Sequence, residues 1–288
     1  MRVFSIVART HWKERCQDYV VGRQCRDGGF CFYRSDYIEE SNLYDTGFAL
    51  ATLRVLGRMP PRRGELESWF AAQRDPLCRN ASLAALWSYE RGVRLLGLKP
   101  AREIRETVVR CIATVVPLPS REELKSWDAS ALLRDLFQMA KLSAWSCSPP
   151  PAPWRQRLSA LLEALRGESG AFPKDHENLV DSAKALFVAR LFQIPIEEPP
   201  LLRFARHQLA CSDVSGSWST ESASLEAVRS GLELLAAFSQ RPEEQRRRNL
   251  ASQIEACQVA SGGFGRRIGA IPTLEDSYHG AKALRFLE

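Results

Sequence analysis

The sequence predicts an all-α chain of about twelve helices, arranged as six consecutive helical hairpins. Three observations favour this class: prolines recur at regular intervals, one loop motif appears near both ends, and the strict alternation typical of β-strands is scarce. Hydrophobic residues make up 45% of the 288 residues, which is enough to bury a core. We therefore expect a single domain over residues 1–288.

The prolines mark the boundaries between units. Eleven of the sixteen fall into five groups, spaced roughly 40 to 50 residues apart. Because proline interrupts helix interiors and is tolerated at helix starts, each group predicts a break between helical units. The groups are Pro60–Pro61, Pro100, Pro149–Pro153, Pro195–Pro200 and Pro242.

Each of the six units has the same internal order. An amphipathic helix comes first, followed by a loop that contains Gly, Asn or Pro, and then by a second, more apolar helix. In the first unit the pattern predicts helices near residues 10–23 and 45–57. In the sixth unit it predicts a helix over Gln245–Cys257 and another from about Ser277.

The loops of the first and last units share a motif. Gln24–Phe30 and Gln258–Phe264 both read Q-x-x-x-G-G-F, and each is followed, 17 positions after its first glycine, by a polar residue, Asp45 or His279. Paired glycines permit positive φ in a tight loop, and the phenylalanine can pack between hairpins. Weaker copies occur at Gly170–Phe172 and Gly216–Trp218. Copies in register indicate an internal repeat.

The charge and the cysteine content argue against several classes of protein. The net charge is +6, but basic and acidic residues are mixed, so we expect no nucleic-acid partner. No C-x-x-C pair is present among the eight cysteines, which argues against a zinc ribbon. The sequence contains neither an apolar run of the roughly 18 to 20 residues that a membrane helix needs nor a signal peptide. We expect a cytoplasmic protein without a transmembrane segment.

The two loops and the segments that follow them, Leu43–Leu50 and Tyr278–Leu284, resemble the repeat family of prenyltransferase β-subunits and squalene/terpene cyclases. The resemblance implies an (α/α)6 toroid, in which six inner helices surround a central apolar cavity and the first and last hairpins are neighbours. It implies an isoprenoid diphosphate, or another lipid-like small molecule, as the ligand. For protein prenyltransferases it also implies a helical α-subunit partner.

In the resembling enzymes, the starts of the inner helices carry the catalytic acid or the zinc. The corresponding positions here are Asp45, Asn80, Asp128, Asp181, Glu226 and His279. The candidate catalytic residues are therefore Asp45, Asp128, Asp181, Glu226 and His279. Asp and Asn are also good helix caps, so a purely structural role stays open.

The motifs that bind the metal or supply the catalytic acid in the resembling enzymes are incomplete in this sequence. His279 matches the zinc-ligand His of the family and Glu226 stands at the Asp position, but Val228 occupies the expected Cys position, and valine cannot bind zinc. Of the Asp-x-Asp-Asp motif of class II cyclases only Asp45 is present, and the proton-donor position is Tyr44. The chain contains no Asp-Asp pair, so the magnesium motif of class I synthases is missing too.

The ligand's two ends have separate candidate residues. The resemblance assigns the diphosphate to Arg266 and Arg267, which follow the second Gly-Gly-Phe loop, with Arg34 as a helper. Two arginines of this kind also solvate an ordinary loop. Aromatic candidates for the isoprenoid cavity are Tyr44, Trp87, Trp127, Phe187 and Tyr278. Aromatic residues at helical spacing are equally typical of a packed core.

Three functions remain open. The first is an enzyme that transfers or cyclises an isoprenoid diphosphate. The second is a non-catalytic toroid that binds a lipid or a protein, which Tyr44 and Val228 favour because they interrupt the catalytic motifs. A zinc toroid similar to lanthionine cyclases is a third possibility, with Tyr278 in place of the cysteine of its Cys-His-Gly.

Overall fold

The computed structural model describes residues 4–33, 39–115, 118–119, 123–146, 152–211 and 224–288. These ranges contain thirteen α-helices, one 3-10 helix and no β-strand, so the chain is all-α, as predicted. The helices are α1 (Phe4–Val21), α2 (Leu43–Val55), α3 (Arg63–Ala72), α4 (Arg74–Arg79), α5 (Leu83–Leu95), α6 (Arg102–Val115), α7 (Ala129–Ser146), α8 (Ala152–Leu165), α9 (Leu179–Leu191), α10 (Glu198–Cys211), α11 (Leu225–Ala237), α12 (Glu244–Ala256) and α13 (Leu274–Leu287), with the 3-10 helix at Glu123–Ser126.

The helices form two sets. Six of them, which we call the inner helices, contact one another in a closed cycle: α2 packs on α5, α5 on α7, α7 on α9, α9 on α11, α11 on α13, and α13 on α2. The outer helices α1, α6, α8, α10 and α12 each pack on the inner helix that follows them. The second outer helix is divided into α3 and α4, because Pro76 lacks the amide that would continue α3. The prediction of about twelve helices is confirmed, and this division gives the described chain its thirteenth α-helix.

The inner helices run in the same direction. At their N-terminal ends, Ser130 near the start of α7 donates a hydrogen bond to Asp181 near the start of α9, at 2.6 Å. At the opposite end, Arg94 of α5 donates to the carbonyl of Trp145 of α7, at 2.7 Å. Residues from equivalent turns of different inner helices therefore meet at the same depth.

A polar side chain caps the start of every inner helix by accepting a hydrogen bond from the backbone N–H of the residue three positions later. The caps are Asn42, Ser82, Asp128, Asn178, Ser224 and Thr273. Relative to these caps, the positions aligned from the sequence are not equivalent: Glu226 lies in the first turn of α11, whereas His279 lies one turn deeper in α13. The alignment was wrong here because the segments between the loop phenylalanine and the cap differ in length.

The two Gly-Gly-Phe loops have the same geometry. In the first, the Gln24 side chain donates to the carbonyl of Gly28 at 2.9 Å, and the backbone N–H of the buried Phe30 donates to the Thr46 hydroxyl at 2.9 Å. In the second, Gln258 donates to Gly262 at 2.8 Å and Phe264 donates to Ser277 at 3.0 Å. The predicted repeat is confirmed by these matching contacts.

The weaker copy in the fourth unit has part of this geometry. The backbone N–H of Phe172 donates to the Ser182 hydroxyl at 2.9 Å, and Gly170 has a positive φ of 81°. The other weak copy, Gly216–Trp218, lies outside the described residues.

Each loop also contacts the next outer helix. Gln24 donates to the carbonyl of Arg62, just before α3, at 3.4 Å. The last hairpin makes the matching contact with the first: Gln258 donates to the carbonyl of Trp12 in α1 at 3.0 Å, and the Tyr19 hydroxyl of α1 donates to the carbonyl of Pro272 at 2.8 Å. The two ends of the array therefore meet. None of the described helices combines the length and apolarity needed to cross a bilayer.

Candidate functional site

A cavity of about 780 Å³ lies between the inner helices, and each of its lining residues comes from one of those six helices. This volume is typical of sites that hold a small molecule. Most of its wall is apolar, and aromatic rings contact one another along it: Tyr44 with Phe48 at 4.8 Å between centroids, and Phe137 with Phe187 at 5.2 Å.

The structure places four of the five predicted aromatic residues in the cavity wall, namely Tyr44, Trp87, Phe187 and Tyr278. Trp127 is the exception. It lies immediately before the Asp128 cap of α7, is 49% exposed and is not part of the wall. Asp128 was assigned correctly to the start of this helix from the sequence, and Trp127, which precedes that cap, therefore lies outside the helix.

Arg91 projects from α5 into this aromatic surface. Its guanidinium carbon lies 4.6 Å from the Phe48 ring centroid, 5.1 Å from that of Trp87 and 4.8 Å from that of Tyr278. Burial lowers the pKa of Arg91, although arginine remains a cation in proteins. No carboxylate or carbonyl in the described ranges hydrogen-bonds with it, so its closest contacts are aromatic faces, with the charge of Glu275 acting from farther away.

Lys141 of α7 is a second cation of this kind. Its Nζ lies 3.7 Å from the ring centroid of Phe187 and 5.4 Å from that of Phe137, and no described carboxylate forms an ion pair with it. Burial lowers the pKa of Lys141. Lys141 is half-buried, and a half-buried cation without an ion-pair partner costs free energy, which a bound anion would offset.

The other cationic side chains of the cavity already have partners. Arg229 is paired with Glu233, Arg134 with Asp135 at 3.2 Å, Lys184 with Asp181 at 3.0 Å and Arg190 with Glu198 at 3.5 Å. Arg91 and Lys141 are therefore the cavity cations left free among the described residues. Arg91 also lines a second cavity of about 540 Å³, together with Arg54, Arg63 and Arg94.

At the N-terminal end of the cavity, Glu226 of α11 approaches Glu275 and His279 of α13. One carboxylate oxygen from each glutamate and one ring nitrogen of the histidine all lie within 4.8 Å of one another. His279 is 3% exposed, and neither of its ring nitrogens has a hydrogen-bond partner among the residues that the structure describes. The closest carboxylate oxygen, Oε1 of Glu275, is 3.7 Å from Nε2, beyond hydrogen-bonding distance.

Burial and charge set the protonation states of this cluster. Burial lowers the pKa of His279, with a further contribution from the positive charge of Arg229, so the neutral imidazole is favoured. Burial alone would raise the pKa of Glu275, but the neighbouring His279 and Tyr44 outweigh it and the pKa is lowered. Burial, with Glu275 nearby, raises the pKa of Tyr44, which makes its hydroxyl a poor proton donor to carbon.

The donor set of this cluster fits a metal. A neutral imidazole and two carboxylates are ligand types that zinc and related ions accept. Val228, at the position where the family has a thiolate, is fully buried in the core. Sequence reasoning missed Glu275, the third donor. The available signal was its spacing of four residues before His279, which places both on one face of a helix.

The three aspartates predicted as catalytic are engaged in local structure. Asp45 accepts a hydrogen bond from the side chain of its cap, Asn42, at 2.7 Å. Asp128 caps α7, and the buried Asp181 accepts from Ser130 at 2.6 Å. None of these three carboxylates lines the cavity. Among the predicted acids, Glu226 is the one that does.

The arginines predicted to bind diphosphate lie elsewhere. Arg266 and Arg267 are exposed in the loop before α13 and do not line the cavity. Arg34 lies outside the described residues. The cavity cations without an ion-pair partner in the described part of the chain are Arg91 and Lys141, which the sequence did not single out. A positive charge four residues after Trp87 on an apolar helix was the one available signal for Arg91.

Comparison with known proteins adds no assignment. No model of a known protein family matches the chain, and no curated protein matches it significantly.

Proposed function

We propose that the chain is an (α/α)6 toroid that binds an isoprenoid diphosphate in its central cavity and transfers or cyclises the isoprenoid. The observation that carries the proposal is the guanidinium of Arg91, free of any described acid and surrounded by three aromatic rings. An isoprenoid diphosphate has both features that such a wall would bind, an apolar chain for the rings and an anion for the cation.

The toroid is supported by the closed cycle of inner helices and by the contacts between the last loop and α1. A ring of six parallel helices leaves space along its axis. The cavity lined by those helices lies where that space is expected.

In the proposed reaction, Arg91 and Lys141 bind the diphosphate oxygens. The bond between the allylic carbon and the diphosphate oxygen breaks, the electron pair leaves with the diphosphate, and an allylic cation remains. The faces of Phe137, Phe187 and Tyr278 stabilise that cation, and where the product is an alkene the released diphosphate accepts the proton.

Non-catalytic lipid binding is the second candidate. It is favoured by the engagement of Asp45, Asp128 and Asp181 in capping and ion pairs, which leaves the acids of the cyclase pattern unavailable. Product formation separates the two candidates, since both require ligand binding. The helical partner subunit and the cytoplasmic location stay predictions.

The decisive experiment compares ligand binding by two arginine variants. We expect geranylgeranyl diphosphate to bind the wild-type protein in calorimetry, and Arg91→Gln to weaken binding at least tenfold, since a charged hydrogen bond contributes roughly 1.5–3 kcal/mol. Arg134→Gln is the matched control, because Arg134 also lines the cavity but is paired with Asp135. Incubation followed by mass spectrometry of the products tests turnover.

Two results would overturn the proposal: no binding of any isoprenoid diphosphate by the wild-type protein, or equal loss of affinity in the two variants. Binding without any product would favour the lipid-binding alternative.

A further inference from the structure

We propose that Glu226, Glu275 and His279 form a binding site for a divalent transition-metal ion at the N-terminal end of the cavity. Three potential ligand atoms from two adjacent helices lie within 4.8 Å of one another. A distance of this size between donors is compatible with their convergence on one ion after small side-chain rotations, because ligand–metal distances are about 2.0–2.2 Å.

The buried imidazole is the independent observation. Both ring nitrogens of His279 are buried without a hydrogen-bond partner, although a buried polar group ordinarily has one. The rings of Phe48 and Tyr278 lie beside it, at 5.8 Å and 5.3 Å between centroids, and offer no acceptor for an N–H. Coordination of one nitrogen to a metal would offset this cost.

Among the residues described, the two carboxylates meet cationic side chains only at longer range than an ion pair, Glu275 through Arg266 and Glu226 through Arg229. No Lys or Arg of the described chain forms an ion pair with Glu226 or Glu275. The nearest candidate on α11, Arg229, is paired with Glu233 one turn deeper. Two negative charges this close repel one another, and a divalent cation between them would convert the repulsion into attraction.

The donor types narrow the class of ion. One imidazole nitrogen and two carboxylate oxygens, with no sulfur, suit Zn²⁺, Co²⁺ or Mn²⁺ and leave positions open for further oxygen ligands. This set differs from the one implied by the family resemblance, because Glu275 supplies the third donor and Val228 supplies none. When bound, the ion would supply a Lewis-acidic site for phosphate oxygens rather than a site that activates a thiol.

The test uses metal binding to the full chain, without any isoprenoid. After treatment with a chelator, the protein is titrated with Co²⁺ and Zn²⁺ while visible absorption and calorimetric heat are followed. We expect one equivalent to bind, with cobalt d–d bands in the visible range and no thiolate charge-transfer band in the near ultraviolet. His279→Gln and Glu275→Gln should weaken binding at least tenfold.

Matched controls are His176→Ala and Glu197→Gln, which change an exposed histidine and an exposed glutamate outside the cavity. Glu275→Gln is nearly isosteric, so circular dichroism of this variant checks that loss of metal is not loss of fold. The site is refuted if wild-type protein binds no stoichiometric metal, if the variants bind as tightly, or if a thiolate band appears. Metal binding without isoprenoid binding would overturn the proposed function alone.

Discussion

At the scale of single residues, the cavity is defined by charges that lack partners. Arg91 and Lys141 face aromatic rings, and Glu226 and Glu275 face a buried imidazole. Each arrangement costs stability in the absence of a ligand, and such costs are common at binding sites. The sequence does not reveal these residues, because one charge on an apolar helix has the same pattern whether it faces solvent or a cavity.

Replacement of Lys141 by methionine should therefore stabilise the ligand-free protein. We expect Lys141→Met to raise the free energy of unfolding at pH 7 by on the order of 1 kcal/mol and to weaken binding of a diphosphate ligand. Lys184→Met is the control, and it should destabilise because it leaves the buried Asp181 carboxylate without its cation. Urea unfolding measures both changes.

The stability difference should also depend on pH. The folded pKa of Lys141 lies below its ordinary value of 10.5, so between the two values the unfolded chain binds more protons than the folded one. Wild-type stability therefore rises relative to Lys141→Met as pH increases through this window. A difference that is the same at pH 7 and at pH 10 would contradict the burial of an unpaired ammonium.

At the scale of elements, the Gly-Gly-Phe loops join neighbouring hairpins, and they were the part best predicted from sequence. Their glutamine, glycine and phenylalanine are each required by a local contact, so the same letters recur wherever the contact recurs. The register of the inner helices was not predicted, because it depends on caps such as Thr273 and on loops of unequal length. Helix register then determined which acids faced the cavity.

The first glycine of each loop is held in a crowded, left-handed conformation. Gly262 has φ +94°, and a Cβ placed on it would lie 2.1 Å from the carbonyl oxygen of Arg15 in α1. We expect Gly262→Ala to lower the free energy of unfolding by about 2 kcal/mol more than the left-handed backbone strain alone would lower it. Gly57→Ala isolates that strain, since Gly57 has φ +71° and open space around it.

Thermal or chemical unfolding of the two glycine variants provides the comparison. Equal destabilisation would show that α1 does not pack on the last loop in solution.

At the scale of the whole molecule, proline spacing was sufficient to predict six hairpins. Proline interrupts a helix wherever it occurs in the interior, so the boundaries between units can be read from one sequence. Closure of the array was implied by family resemblance rather than by any local pattern. In the structure, closure depends on the contact between Gln258 and the carbonyl of Trp12, residues 246 positions apart. A contact between residues so far apart along the chain produces no periodic pattern in the sequence.

Closure of the cycle predicts equal contributions to stability from two contacts, the one between the first loop and the segment before α3 and the one between the last loop and α1. Gln24→Ala and Gln258→Ala each remove a side chain that joins a loop to the next outer helix. We expect each to cost about 1–3 kcal/mol, since a buried carbonyl loses its donor in both cases. In an open array, Gln258→Ala would lose only the hydrogen bond to Gly262 within its own loop, and it should cost less in urea unfolding than Gln24→Ala.

The parallel direction of the inner helices has an electrostatic consequence. Each helix carries a partial positive charge of about half an elementary charge at its N-terminus, and the parallel inner helices bring these ends to the same end of the cavity. The carboxylates at this end, among them Glu226 and Glu275, carry the opposite sign, so the helix ends reduce their repulsion of an anionic ligand. The association rate of such a ligand should therefore depend on ionic strength, because salt screens both contributions.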